Sequence, residues 1–290
     1  MSQKPEIKYI DIHSHFNLPQ FDGDLTDAIA KIEAEGVATI CVGTDLVTSR
    51  RAIEIAEMSG NIWAVVGQHP TDTAEAFDVE AFSEIATHEK VVAIGECGFD
   101  FFRTPKDGIV GGQTIFEKQK ETFVQQIEIA VKTGKPLMIH SRPSSGSMDA
   151  YEDTLNILSN YPEVRANFHF FVGDTTIAKR ALDAGHTMSF DGPITFTHDY
   201  DEVIIMLPLP AIMAETDAPF AAPEPYRTSL KQTRDDGKIT PARCEPWMVQ
   251  EIVKKIAEIR VQDNPSTTEN EETVRLAMLD NAKQFFKILL

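Results

Sequence analysis

The amino-acid sequence predicts a barrel of eight parallel β-strands that alternate with helices, an α/β architecture. Two observations favour this class. Short apolar runs recur along the 290 residues and alternate with longer amphipathic segments, as in parallel strands joined by helical crossovers. Histidines and carboxylates stand at the carboxyl ends of several runs, and those ends share one face in a β/α barrel.

Eight apolar runs are predicted to be strands. Several are dominated by Ile, Val and Ala, as expected for strands buried on both faces. The runs are Tyr9–His13, Ala38–Val42, Ile62–Gly67, Val91–Glu96, Pro136–His140, Arg165–Phe170, His186–Phe190 and Ala211–Thr216. Eight such units predict a closed TIM-type (β/α)8 barrel, and an open doubly wound sheet is the alternative.

Apolar residues at helical spacing fill the segments between the predicted strands and after the last one. The predicted helices include Leu25–Glu35, Phe116–Val131, Thr175–Ala184, Trp247–Ile259 and Glu271–Leu289. Gly36 and Gly185 follow two of them, and glycine commonly ends a helix. The proline-rich stretch from Ala218 to Pro246 is predicted to be a long ordered loop. We expect residues 1–290 to form one domain.

Composition narrows the function classes. The chain has 27 basic and 45 acidic residues, a formal net charge of −18, which argues against broad adhesion to nucleic acid or membranes. A local basic pocket remains possible. The three cysteines are too few and too scattered for a disulfide framework. No apolar run reaches the ~18 residues that span a membrane. The sequence predicts a cytoplasmic protein without an obligate protein partner.

Six side chains at predicted strand ends are of the types that bind divalent metals. They are His13, His15, Glu96, His140, His169 and Asp217. Imidazole and carboxylate groups bind Zn²⁺, Mn²⁺, Mg²⁺ and similar ions, so we expect one or two such cofactors. Glu96 could bridge two ions about 3.5–4 Å apart, a spacing at which they activate water for hydrolysis.

Each of these residues has a simpler interpretation when it is taken alone. A lone histidine at a strand end is usually structural. Glu96 could cap a helix or form an ion pair, and Asp217 before Ala218-Pro219 could be a turn residue. The joint pattern favours a metal site over six unrelated roles. His88, His186 and His198 lack such a pattern and are predicted to be structural or solvent-facing.

Six motifs, in order along the chain, resemble the TatD family of metal-dependent deoxyribonucleases in the amidohydrolase superfamily. They are Asp11-Ile12-His13-Ser14-His15, Gly67-Gln68-His69-Pro70, Gly95-Glu96-Cys97-Gly98-Phe99-Asp100, Ile139-His140-Ser141-Arg142, Phe168-His169-Phe170-Phe171-Val172-Gly173 and Glu215-Thr216-Asp217-Ala218-Pro219. The chain departs from the family at Phe170 and Val172, where Cys and Ser or Thr are usual. These changes fall near the expected substrate rim.

The resemblance implies a TIM barrel that hydrolyses phosphodiester bonds in DNA with divalent metal. It assigns one ion to His13, His15 and Asp217, the second ion to His140 and His169, and the bridging position to Glu96. It also implies that His69 faces a substrate phosphate and is not a ligand. We expect metal-activated water to be the nucleophile, with Asp217 as its general base and Glu96 as a second catalytic residue.

Arginines after the strands are candidates for binding DNA phosphates. Arg103, Arg142 and Arg227 follow the fourth, fifth and eighth predicted strands and are predicted to line the cavity. The alternative for each is an ordinary surface arginine.

Two other functions stay open. An amidohydrolase acting on an amide, lactone or organophosphate would be expected to carry a bridging modified lysine. Lys135 instead precedes the fifth strand, at the opposite end of the barrel. A binding protein without activity is disfavoured by the intact set of predicted ligands.

Overall fold

Eight parallel strands are hydrogen-bonded side by side in chain order. The computed structural model describes residues 6–72, 76–233, 239–263 and 268–289. The strands are β1 Tyr9–Ser14, β2 Val37–Val42, β3 Ile62–Val66, β4 Val91–Asp100, β5 Leu137–Arg142, β6 Ala166–Phe168, β7 Thr187–Phe190 and β8 Ile212–Ala214. The predicted (β/α)8 barrel is confirmed.

The first strand meets the end of the last strand and brings the sheet round on itself. Ser14 and Ala218 form a parallel bridge. The backbone N–H of Asp217 donates to the carbonyl of His13 at 2.9 Å, and the N–H of His15 donates to Ala218 at 2.7 Å. An open doubly wound sheet would leave these two strands apart, so the alternative fold is wrong.

A buried carboxylate strengthens this seam. Asp11 is fully buried and accepts hydrogen bonds from the backbone N–H and the hydroxyl of Thr216, both at 2.8 Å. It also accepts hydrogen bonds from the Thr39 hydroxyl at 3.2 Å and from the backbone N–H of His13 at 3.3 Å. One side chain therefore joins β1, β2 and the end of β8.

Helices cover the outside of the barrel and one of its ends. They are α1 Leu25–Ala34, α2 Leu46–Glu57, α3 Val79–Ile85, α4 Ile115–Thr133, α5 Asp149–Leu158, α6 Thr175–Asp183, α7 Asp201–Met206, α8 Tyr226–Ser229, α9 Val249–Asp263 and α10 Glu271–Phe286. The loop from residue 218 to 246 holds α8 and the short hairpin Gln232–Thr233 with Ile239–Thr240. A 3₁₀ turn, Pro246–Met248, leads into α9.

An apolar cluster fills the barrel interior. It includes residues from strands on opposite sides of the barrel, among them Ile12 of β1 and Met138 of β5, which can meet only inside it. Phe285 and Phe286 of α10 belong to the same cluster. Apolar side chains therefore fill the end of the barrel formed by the amino ends of the strands. Polar residues are left to the opposite end, where the strands have their carboxyl ends.

Candidate metal centre

The carboxylate of Glu96 lies between two pairs of imidazoles. Its Oε2 is 3.6 Å from Nε2 of His13 and 3.8 Å from Nε2 of His15. Its Oε1 is 2.8 Å from both Nδ1 of His140 and Nε2 of His169. Glu96 is only 3% exposed. One buried carboxylate therefore faces two separate groups of nitrogen atoms, one with each oxygen.

The first group consists of His13, His15 and Asp217. The two Nε2 atoms are 3.2 Å apart, and Oδ1 of Asp217 is 3.3 Å from Nε2 of His15. Nδ1 of His15 lies 2.9 Å from the carbonyl oxygen of Val42. A carbonyl only accepts, so this nitrogen carries the proton and Nε2 of the neutral ring presents its lone pair to the group.

The second group consists of His140 and His169 with Oε1 of Glu96. Nε2 of His140 lies 3.1 Å from Oδ2 of Asp100, so this nitrogen carries the proton and donates it. The lone pair of Nδ1 is then available to bind a cation. Nδ1 of His169 lies 3.3 Å from Oε1 of Glu215. Carboxylates behind ligating histidines are common in metal sites because they fix the ring and its tautomer.

His69 presents a donor to the centre. Its Nδ1 accepts a hydrogen bond from the backbone N–H of Thr71 at 3.2 Å. Nε2 of the neutral ring therefore carries the proton, and it lies 3.5 Å from Oε1 of Glu96. Burial, followed by the nearby His140, lowers the pKa of His69 to about 4, which keeps the ring neutral. The ring is thus suited to donate to an anionic group.

Charges in the centre compensate one another through direct contacts. Burial opposes ionisation of Glu96, yet the surrounding histidines, His169 first, hold its pKa well below the usual range. Burial likewise disfavours the charged form of His169, but Glu96 and Glu215 raise its pKa well above the usual range. The acidic groups therefore require positive charge among the imidazoles.

The donor set fits divalent cations. The Nε2 atoms of His13 and His15 are 3.2 Å apart. Two nitrogen lone pairs at this distance repel one another, and a proton or a cation bound between them removes the repulsion. Four imidazoles with carboxylates are also the ligand types that such ions take. The structure brings all six predicted ligands together at the carboxyl ends of the strands.

A cavity of about 1220 Å³ opens above the centre. Its lining includes Arg103, Arg142 and His69 from the predicted substrate contacts. Arg227 is not part of that lining. Its guanidinium lies 4.2 Å from the ring centroid of Phe196 and 3.5 Å from Glu224. Two of the three predicted arginines therefore reach the cavity.

The family described as TatD related DNase matches residues 10–287. This chain belongs to the TatD family. The resemblance seen in the six motifs is confirmed, and so is the assignment of the protein as a metal-dependent hydrolase.

Individual relatives of this TatD-family protein cover nearly its whole length. A Bacillus subtilis protein described as the uncharacterized metal-dependent hydrolase YabD is 34% identical over 96% of this chain and 98% of its own. An Escherichia fergusonii protein named 3'-5' ssDNA/RNA exonuclease TatD is 29% identical over 87% of this chain and 92% of its own. The crystal structure of YJJV, a TatD homolog from Escherichia coli, has a TM-score of 0.79 at 23% identity, covering 98% and 99% of the two chains.

In this TatD-family chain, Glu96 lies between the two groups of ligand-type atoms, and no lysine takes that position among the described residues that line the cavity. Lys135 precedes β5, and its Nζ donates to the carbonyl of His88 at 3.3 Å, at the end of the barrel opposite the metal centre. None of the described residues that line the cavity is a lysine. Among the described residues, none of the helices is long and apolar enough to cross a membrane.

Asp100 and Glu215 are site residues that the six-residue prediction leaves out. The signal for Asp100 is its position four residues after Glu96 in the same strand, because alternate strand residues face the same way. Glu215 is likewise an even number of residues from a predicted ligand, since it lies two residues before Asp217. Gly98, between Glu96 and Asp100, approaches the carbonyl of His140 so closely that an added Cβ would lie 2.3 Å from that oxygen.

Proposed function

We propose that this protein hydrolyses phosphodiester bonds in single-stranded nucleic acid and removes nucleotides from an end of the strand. The observation that carries the proposal is the placement of Glu96, whose two oxygens face separate groups of ligand atoms. The name of the Escherichia fergusonii relative, a 3'-5' exonuclease of single-stranded DNA and RNA, supports this substrate class and polarity.

We assign the two groups of ligand atoms to two cations. His13, His15 and Asp217 would hold the first, His140 and His169 the second, and Glu96 would bridge them. When bound, the cations supply Lewis-acid stabilisation of the phosphate and lower the pKa of the attacking water.

Asp217 is the proposed general base. Burial opposes its ionisation, but the hydrogen bond and charge of His15 lower its pKa, so the carboxylate is ionised and able to accept a proton. It also lines the cavity. Across the centre, the Nε2–H of His69 is placed to donate to a phosphate oxygen. The chain therefore offers a proton acceptor and an anion-binding donor on the same cavity.

Arg142 and Arg103 are the proposed phosphate contacts. Within the part of the chain that the structure describes, the Arg142 guanidinium makes no hydrogen bond or ion pair, and it lines the cavity. Arg103 is held at 3.4 Å from Asp100 and is half exposed. Guanidinium groups bind phosphate oxygens in bidentate fashion. Arg227 lies outside the cavity, so we propose no substrate contact for it.

The test combines metal analysis with substrate assays on one purified preparation. Single-stranded DNA, duplex DNA, single-stranded RNA and a lactone are the substrates. We expect two divalent ions per chain and cleavage of single strands. Glu96→Gln should lose bound metal and activity because the amide keeps only one oxygen that can ligate, so the side chain can no longer bridge two cations. Glu57→Gln is the matched control, since that exposed carboxylate contacts only His88 among the described charged groups. Lactone hydrolysis without cleavage of nucleic acid would establish the amidohydrolase alternative.

A further inference from the structure

Phe102 is an exposed aromatic ring in the wall of the catalytic cavity. Its side chain follows the end of β4 and is 55% exposed. Burial stabilises a phenylalanine side chain, so an open ring inside a cavity forgoes a stabilising contact. Single exposed apolar residues are common on protein surfaces, so the observation that matters is the position of this ring in the cavity wall.

The backbone on both sides of Phe102 is held in place. Phe101 is buried, and its N–H donates to the carbonyl of Arg142 at 2.8 Å. The N–H of Arg103 donates to Oδ1 of Asp100 at 2.7 Å. Asp100 in turn contacts the metal-ligand candidate His140. The backbone that carries Phe102 is therefore held relative to His140, and the ring lines the same cavity as that histidine.

The guanidinium of Arg142 stacks on this ring. Its central carbon lies 4.2 Å from the ring centroid of Phe102. The pair offers a π surface and a flat cation next to each other, while the guanidinium N–H groups stay available to a phosphate. Nucleobases stack on both aromatic rings and arginine planes, whatever the base. A nucleotide unit, with one base and one phosphate, matches both chemical features.

We propose that Phe102, backed by Arg142, is the stacking platform for the nucleobase adjacent to the scissile phosphate. This inference rests on the proposed nuclease function and adds the residue that binds the base. Stacking of one base is worth about 1–3 kcal/mol by alanine substitution and does not depend on sequence. The platform thus supports cleavage of any sequence while requiring that a base be present.

The chain contains a matched pair outside the cavity. The Arg227 guanidinium lies 4.2 Å from the ring of Phe196, the same separation as in the Phe102–Arg142 pair, and Phe196 is 43% exposed. Neither residue belongs to the cavity lining. Phe196→Leu therefore reproduces the loss of an exposed, arginine-stacked ring without touching the proposed platform.

The experiment compares Phe102→Leu, Phe102→Trp and Phe196→Leu with the wild type on two kinds of substrate. One is a single-stranded oligodeoxynucleotide. The others are the same oligomer with a tetrahydrofuran abasic residue at the last or the penultimate position of each end. Melting temperatures and metal content verify that each variant is folded and loaded.

On the complete oligomer, Phe102→Leu should lower kcat/KM by about 5- to 150-fold, mainly by raising KM, because stacking holds the ground state and the transition state alike. Phe102→Trp should match or exceed the wild type, and Phe196→Leu should equal it. On the oligomer that lacks the stacked base, Phe102→Leu and the wild type should be equal.

Each other result overturns the platform. If Phe102→Leu has unchanged kinetics on an oligomer that the wild type cleaves, the ring does not bind the base. If it loses the same factor on complete and on every abasic substrate, its role is structural. If the wild type cleaves none of the oligomers, the proposed nuclease function fails, and the platform fails with it.

Discussion

Asp217→Asn separates proton acceptance from metal binding. Asp217 has a φ of 51°, a left-handed conformation that Asn adopts more readily than most residues other than glycine. Its backbone N–H bond to the His13 carbonyl, at 2.9 Å, does not depend on the side chain. The amide oxygen of Asn also remains able to ligate a cation beside His15. We therefore expect the variant to fold and to keep most of its metal.

The expected loss is catalytic and large. An amide cannot take up the proton of the attacking water, and loss of a general base costs roughly 10²–10⁴ in rate. At 1.36 kcal/mol per tenfold, this raises the barrier by about 3–5 kcal/mol. Asp217→Ala is the informative companion, because it removes the ligand as well and should lose both metal and activity.

Metal content, thermal melting and kcat on single-stranded DNA, measured on one preparation, decide the matter. Asp217 is the base if Asn keeps the metal and the melting temperature but loses most of kcat. A near-normal kcat with metal retained would refute the mechanism. A lower melting temperature with unchanged rate per folded molecule would instead assign Asp217 to the turn that follows β8.

Three further predictions follow from the structure. Asp100→Asn weakens the hydrogen bond that orients His140, so metal titration should show roughly 10–100-fold lower affinity at the second site while the first site is retained. Arg142→Met should raise KM for single-stranded DNA with little change in kcat, whereas Arg227→Met should match the wild type in the same assay. Burial lowers the pKa of His186 to about 4, whereas a histidine in the unfolded chain has a pKa of ~6.5. Between about pH 6.5 and pH 4 the unfolded state therefore binds a proton that the folded state does not bind. Stability should fall over that window, and His186→Gln should remove up to about 3 kcal/mol of that fall, measured by denaturant unfolding at pH 7 and pH 4.

The strand interiors could be predicted from sequence, but their ends could not. The apolar pattern predicts Val91–Glu96 for β4, whereas the strand runs to Asp100. Its last residues are not a strong β-forming sequence. They are held by pairing with β5, where Gly98 lies opposite His140 and Asp100 opposite Arg142. Such pairing depends on residues distant in sequence, so the local apolar pattern does not predict the contact between Asp100 and His140.

Proximity to a strand end explains which site residues could be predicted. The six ligand candidates lie within the strands or at most three residues beyond them, so their direction is set by the barrel itself. Arg227 lies ten residues after Asp217, beyond a loop and within α8, and there its direction depends on local contacts with Phe196 and Glu224. Order along the chain does not determine where such a side chain points.

The seam that closes the barrel has a consequence for biosynthesis. His13 comes from the first strand and Asp217 from the end of the last, and their backbones are hydrogen-bonded there. The proposed first cation site is therefore incomplete until the last barrel strand, β8, docks. A ligand that binds only the closed form stabilises that form alone. A cation bound at the proposed site would therefore stabilise only a chain whose last strand has docked, and a nascent or truncated chain without that strand would lack part of the proposed catalytic centre.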